Sequence, residues 1–319
     1  MSSCCAKKGP GYGTPLEAMK NGVREQILYV AMIPCQEGQP DYLATIDVDP
    51  NSSTYQQIIH RLYFPELDNE LHHFGWNACS SCHDDCTKQR RYLVLGGFKS
   101  SRIYIVDTEN SKQPSLYKTI DSDQLKKLDL SAPHTVHCLG SGDIMISCLG
   151  NAQKELPGGF ALLNEKFEVV GRWNEENNPS AVQFYYDFWY KPRYNIMVSS
   201  EWAAPNIFEK GFNPSDVASN KYGHSLHFWD WSKRQYLKTV DLGADGNIPL
   251  ELRFCHNPVN PVGFVVCALG SSVFRFYPDQ ANEWQVEKVI QIETANSRDG
   301  QPTPAIISDM LISLNDKYS

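Results

Sequence analysis

The chemistry available to this sequence lies in its imidazoles and thiols, and both are grouped. Nine histidines and ten cysteines occur in 319 residues. Glu70-Leu71-His72-His73 sets two imidazoles side by side, and His134 and His137 fall in Pro133-His-Thr-Val-His-Cys138. His224 and His227 fall in Gly223-His-Ser-Leu-His227, His256 follows Cys255, His60 lies within a predicted strand, and His83 follows Cys82. Imidazole suits copper, zinc, iron or nickel. Any one histidine is more simply a surface or core residue. As a set at repeating positions they read as metal ligands. Side chains alternate along a strand, so His134 and His137 face opposite ways unless a bend intervenes. Which of the two ligates stays open, and the same holds for His224 and His227.

Cys79-Ser-Ser-Cys82 is the second cluster, with His83 next and Cys86 shortly after. Cys-x-x-Cys-His is a c-type haem attachment pattern, but it belongs to exported proteins, and the N-terminus shows no apolar secretory segment. A zinc knot would need a second Cys-x-x-Cys. Two readings remain: a dithiol that binds soft elements, and a loop with free thiols. Glu201, before Trp202-Ala-Ala-Pro205, ends the apolar stretch Met197 to Ser200. It reads as a general base, as a group orienting a ligand, or as a solvated carboxylate. Phosphate cradle, serine elbow and Rossmann glycine pattern are all absent; Gly96-Gly97 stands alone.

The elements that must position these groups are strands. A weak repeat runs through the chain, each copy an alternating strand, a polar turn and a second alternating strand. The copies are 42–47 with 57–62, 102–107 with 116–120, 159–164 with 167–173, 225–230 with 235–240, and 272–277 with 285–292. Their turns, at Asp47, Asp107, Asn164, Asp230 and Tyr277, lie about 47–66 residues apart. Another hairpin falls between copies, as at 135–139 with 143–149. Four strands per such unit is the grammar of an all-β propeller, with about five to six blades of sequence here. The first strand of each blade lines the channel, so histidines at those strand starts converge. Met197 to Ser200 is expected to face the channel. Short helices are expected at 14–19 and 121–128.

This gives an N-terminal arm over 1–25 and one propeller domain over 26–319. From Ile306 a sixth inner hairpin begins, with its turn at Asn315-Asp316-Lys317, and the chain stops in mid-blade. A propeller closes by pairing its first and last blades, so a truncated or open ring is expected.

Composition narrows the class. Hydrophobic residues make up 41% and charged residues 21%, as in a globular protein with a sizeable core. Net charge is −8, which argues against a nucleic-acid partner. The apolar run Gly263 to Leu269 is far short of the roughly 20 residues of a membrane span. Many cysteines without a secretory signal point to reduced thiols. Cys4 and Cys5 suit acylation or an unmodified tail.

Together these motifs resemble the selenium-binding protein family, whose members include methanethiol oxidases. The resemblance rests on Gly11-Tyr-Gly-Thr-Pro-Leu-Glu-Ala-Met19, Glu70-Leu-His-His73, Gly75-Trp-Asn77 with Cys79-Ser-Ser-Cys82, His134-Thr-Val-His-Cys138, Ser200-Glu-Trp-Ala-Ala-Pro-Asn206 and Ile248-Pro-Leu-Glu-Leu-Arg-Phe254. It implies a seven-bladed cytosolic propeller, in places nuclear or membrane-associated. It implies copper-dependent oxidation of methanethiol by oxygen and water to formaldehyde, hydrogen peroxide and hydrogen sulfide. His72, His73, His134, His137 and His256 are the ligand candidates, and Glu201 is the catalytic candidate. The cysteine proposed for selenium in some members falls at Gln56, so Cys79 or Cys82 would have to serve. The family continues past Ser319, with further blades and another histidine. The alternatives are a selenium- or thiol-binding scaffold in protein transport or redox regulation, and an inactive truncated product.

Overall fold

The structure, a computed structural model, describes residues 9–36, 38–174 and 182–318. Cys4 and Cys5 lie outside the described residues. Chain contacts divide into two compact units, Met1–Gln153 with Phe160–Arg172, and Lys154–Gly159 with Trp173–Ser319.

The first unit opens with helix α1 (Pro15–Asn21). Proline sits in its first turn, and Thr14 caps it by accepting the Glu17 N–H at 3.1 Å. Three antiparallel sheets follow. One has three strands, β1 (Ile27–Met32), β2 (Tyr42–Asp47) and β3 (Ile58–Tyr63). The next has four, β4 (Leu71–Trp76), β5 (Tyr92–Gly97), β6 (Arg102–Asp107) and β7 (Ser115–Ile120). Helix α2 (Ser122–Lys126) leads to the third, β8 (Ser131–Cys138), β9 (Ile144–Gly150), β10 (Gly159–Leu163) and β11 (Val169–Arg172). The apolar faces of the second and third sheets pack together through Val94, Ile103, Ile105, Ile144, Ile146 and Leu163, all fully buried. Burial of such side chains is worth about 1.5–3 kcal/mol each, so this seam ties the two sheets together.

The second unit repeats the pattern. One sheet is β12 (Phe188–Lys191), β13 (Ile196–Ser199), β14 (Ser225–Asp230) and β15 (Gln235–Asp241). The other is β16 (Pro249–Phe254), β17 (Gly263–Cys267), β18 (Ser272–Pro278) and β19 (Trp284–Gln291). Phe228, Phe254 and Phe276 interlock edge to face between them. Short helices α3 (Pro205–Phe208) and α4 (Pro214–Ala218) lie between β13 and β14, and a small hairpin, β20 (Ala295–Asn296) and β21 (Pro302–Thr303), follows β19.

Consecutive strands meander through four four-stranded sheets among the described residues, which is the construction of propeller blades. Each outer hairpin expected from sequence is present within a residue or two of its expected bounds. Two expectations fail. β13 is the second strand of its sheet, so Met197 to Ser200 is not a first strand. Residues 304–313 form no strand; side chains on β16 and just after it hold them instead. Arg253 Nε donates to the Met310 carbonyl and His256 Nε2 to the Ile312 carbonyl. The turn at Asn315 is real, closed by the Asp316 N–H on the Ser313 carbonyl. No helix among the described residues is long and apolar enough to cross a membrane.

Candidate metal centre

Consecutive residues on a regular strand face opposite sides of the sheet, so His72 and His73 should not share a site. A bulge overrides the alternation. On β4, Leu71 pairs with Gly97 and Phe74 with Leu95, so β4 takes one more residue than β5 between these pairs. The extra residue falls at His72-His73. β8 repeats the device, with Pro133 paired to Cys148 and Val136 to Ile146, and its extra residue falls at His134-Thr135. β16 does so again at Leu250-Glu251, between the pairs Pro249–Cys267 and Leu252–Val265.

A left-handed residue stands two positions before each bulge. Glu70 has φ 50°, Ala132 53° and Ile248 57°. None is glycine, and each costs about 1–3 kcal/mol, which the surrounding bonds must offset. The carbonyl of Glu70 accepts the Phe98 N–H at 3.0 Å, and that of Ile248 accepts the Ala268 N–H at 2.8 Å. The Asp41 carboxylate accepts the Leu71 N–H at 2.7 Å and fixes where β4 starts.

β4 and β8 then approach closely. A Cβ on Gly75 would lie 2.6 Å from the Val136 carbonyl oxygen, and one on Gly96 would lie 2.6 Å from that of Pro133. The approach brings three imidazoles together. Ring centres are 4.8 Å apart for His72 and His73, 4.8 Å for His72 and His134, and 4.4 Å for His73 and His134. One ring nitrogen from each lies within 4.8 Å of the others. Phe98 closes one side, 5.3 Å from His72 and 5.6 Å from His134. His134 is fully buried, and its Nδ1 is 3.1 Å from the Thr135 hydroxyl. Burial lowers the pKa of His72, against the opposing pull of Glu70, and so favours the neutral ring that can bind a metal. Glu70 is itself paired with Lys99 at 2.8 Å.

The model of the 56 kDa selenium-binding protein family matches residues 6–319. The chain belongs to this family. Among its relatives, methanethiol oxidase of Bos taurus and that of Homo sapiens are each 49% identical over 325 residues, all of this chain and 68% of theirs. Selenium-binding protein 2 of Mus musculus is 48% identical over the same share of each chain. The solved structure of a hypothetical selenium-binding protein from Sulfolobus tokodaii matches with TM-score 0.88 and 36% identity, over 96% of this chain and 70% of that one. A periplasmic gluconolactonase of Pseudomonas aeruginosa, at TM-score 0.51 and 11% identity over 86% of this chain and 73% of its own, shares the propeller-type fold alone.

The other candidates of this selenium-binding family member are not among the three clustered histidines. His137 is on β8 but outside the three-histidine cluster. His256 is in the second unit, its Nε2 donating to the Ile312 carbonyl at 2.8 Å. Glu201 is also in the second unit and is buried. Its Oε2 accepts the N–H groups of His224 and Ser225 at 2.7 and 2.8 Å. Its Oε1 accepts His227 Nε2–H at 2.8 Å. Held by three donors, it fastens the start of β14. His224 Nδ1 bonds Asp241 at 2.8 Å, His60 bonds the Pro114 carbonyl, and His83 the Pro10 carbonyl.

Cys79 precedes, and Cys82 ends, a one-turn helix at Ser80–Cys82. Cys82 is buried, and its thiol points to the Leu139 carbonyl at 3.6 Å. Cys79 is half-buried, and its sulfur is 3.2 Å from the Ser81 hydroxyl and hydrogen-bonded to Cys138. The Cys138 thiol holds the Cys79 pKa below that of an ordinary thiol; burial opposes this, while Ser81 and Arg90 assist. Cys138 is pushed up correspondingly, by its bond to Cys79 and by burial. Sequence reasoning missed Cys138 as a partner, although it lies in the quoted His-Thr-Val-His-Cys stretch. Gln56 takes a left-handed turn, φ 64°, with its N–H on the Asp47 carbonyl at 2.7 Å.

Proposed function

We propose that this chain is a thiol oxidase of the methanethiol oxidase type, with copper held by His72, His73 and His134. The reaction takes methanethiol, oxygen and water to formaldehyde, hydrogen sulfide and hydrogen peroxide. The observation that carries the proposal is the convergence of three imidazoles from two bulged strands. Relatives 48–49% identical over the whole chain and named methanethiol oxidase support the reaction.

The donor set fits copper, since three imidazole nitrogens at this spacing suit it. Copper bound there supplies a Lewis acid for a thiol sulfur and a redox couple toward oxygen. The protein's part is preorganisation. Burial keeps His72 neutral, and Phe98 shields the rings of His72 and His134 from water. The Asp41 bond to Leu71 and the left-handed Glu70 hold the register in which both β4 rings face one way. The free thiols among the described residues fit a reducing, cytosolic setting.

The test pairs metal analysis with product assays on methanethiol, for the wild type and for His72→Ala/His73→Ala. Loss of both copper and peroxide release is expected in the double variant. Undiminished turnover there would sink the proposal. A wild-type protein that carries selenium on thiols but releases no sulfide would favour the scaffold reading.

A further inference from the structure

We propose that Cys79 and Cys138 form a peroxide-sensitive dithiol, oxidised to a disulfide that ties the segment after β4 to the end of β8. The turn that carries Cys79 lies against the end of β8: the Cys82 sulfur is 3.6 Å from the Leu139 carbonyl, and a Cβ on Gly140 would lie 3.8 Å from the Ser81 carbonyl oxygen. There the Cys79 and Cys138 thiols are side-chain partners, Cys79 in the segment after β4 and Cys138 at the last residue of β8. Sequence alone would pair Cys79 with Cys82 through the Cys-x-x-Cys spacing. The structure turns Cys82 away, its sulfur donating to the Leu139 carbonyl at 3.6 Å.

Exposure assigns the order of events. Cys79 is half-buried and reachable, whereas Cys138 and Cys82 are buried. The Ser81 hydroxyl, 3.2 Å from the Cys79 sulfur, and Arg90 nearby both favour a thiolate at Cys79. Cys79 therefore attacks and Cys138 resolves.

The chemistry balances with hydrogen peroxide as oxidant. The Cys79 thiolate attacks one peroxide oxygen and the O–O bond breaks. The departing hydroxide takes a proton and leaves as water, and sulfur is oxidised to the sulfenic acid. The Cys138 sulfur then attacks the Cys79 sulfur. The S–O bond breaks, and a second water leaves with the Cys138 proton. Two thiols and one peroxide thus give one disulfide and two waters.

The position of the pair gives the reaction a consequence. Cys79 follows the strand that carries His72 and His73, and Cys138 ends the strand that carries His134. The bond spans the two strands whose approach assembles the imidazoles. This proposal does not depend on the oxidase reading, because the peroxide can be added.

The experiment uses the full chain, reduced, freed of reductant and titrated with hydrogen peroxide. Remaining thiols are alkylated and the peptides mapped by mass spectrometry. A Cys79–Cys138 linked peptide is expected near one equivalent of peroxide, before the exposed Cys35 and Cys86 react. Cys82→Ser should keep that link. Cys138→Ser should leave Cys79 as a sulfenic acid trapped by dimedone. A Cys79–Cys82 link in the wild type, first oxidation at Cys35 or Cys86, or an unmodified Cys79 each overturns the proposal.

Discussion

His73 and His134 lie 4.4 Å apart, ring centre to ring centre, and each occupies a bulge on the first strand of its sheet. The contact exists because β4 and β8 approach so closely that Gly75 has no room for a methyl group. In these strands the device that breaks alternation also builds the site.

Gly75→Ala tests that approach. Its Cβ would meet the backbone oxygen of Val136, which cannot swing aside as a side chain could. A loss of about 1–3 kcal/mol in stability is expected, with weaker metal binding. Urea unfolding and copper titration measure both. An unchanged urea midpoint and unchanged affinity would show that the strands do not need this contact.

Glu201→Gln tests the role of the buried carboxylate. Its three accepted bonds make it a fastener for β14. Weakening them should cost about 1–3 kcal/mol, read from denaturant unfolding. Activity per folded molecule separates this role from that of a base. Full stability with lost turnover would return Glu201 to the catalytic role read from sequence.

Glu251→Gln tests a pH effect in the second unit. Burial holds the Glu251 carboxyl well above the ordinary range, Asp187 and Asp309 push the same way, and the adjacent Arg253 opposes. The folded state therefore keeps its proton at a pH where the unfolded chain, ionising at about 4.3, has lost it. The sign follows: this contribution is full below the unfolded value and is lost as pH rises toward the folded one. Wild-type stability should decline with rising pH across that window, and the Gln variant should decline less. Parallel curves for the two proteins would refute the assignment.

Much of the fold was legible in the sequence. Arg102–Asp107 and Ser225–Asp230 are strands with their expected bounds, because alternation and polar turns mark half-buried strands directly. The short helices near Thr14 and Asp121 also appear where expected; Thr14 caps the first, whereas Asp121 makes no side-chain cap bond to the second. The histidine cluster was legible as composition but not as geometry. Adjacent histidines on a regular strand would face apart, and only the register against Gly97 and Leu95 reveals the bulge that lets His72 and His73 meet. Glu201 was read at the end of a channel-facing strand, whereas that strand, β13, is the second of its sheet, because an apolar strand looks alike wherever it sits in a sheet. Residues 306–314 carry a strand-like pattern, but the bonds they make come from Arg253 and His256 rather than from a ladder. The Cys79–Cys138 contact joins residues far apart in the chain, a proximity that spacing rules do not encode.

The most direct test of the central claim is the copper content of purified, copper-loaded and desalted protein, wild type against His134→Gln. His134 is the ligand candidate that β8 contributes, so the site cannot form from β4 alone. About one copper per chain is expected in the wild type, and a small fraction of that in the variant. Equal copper in the two proteins would contradict a centre built from both strands.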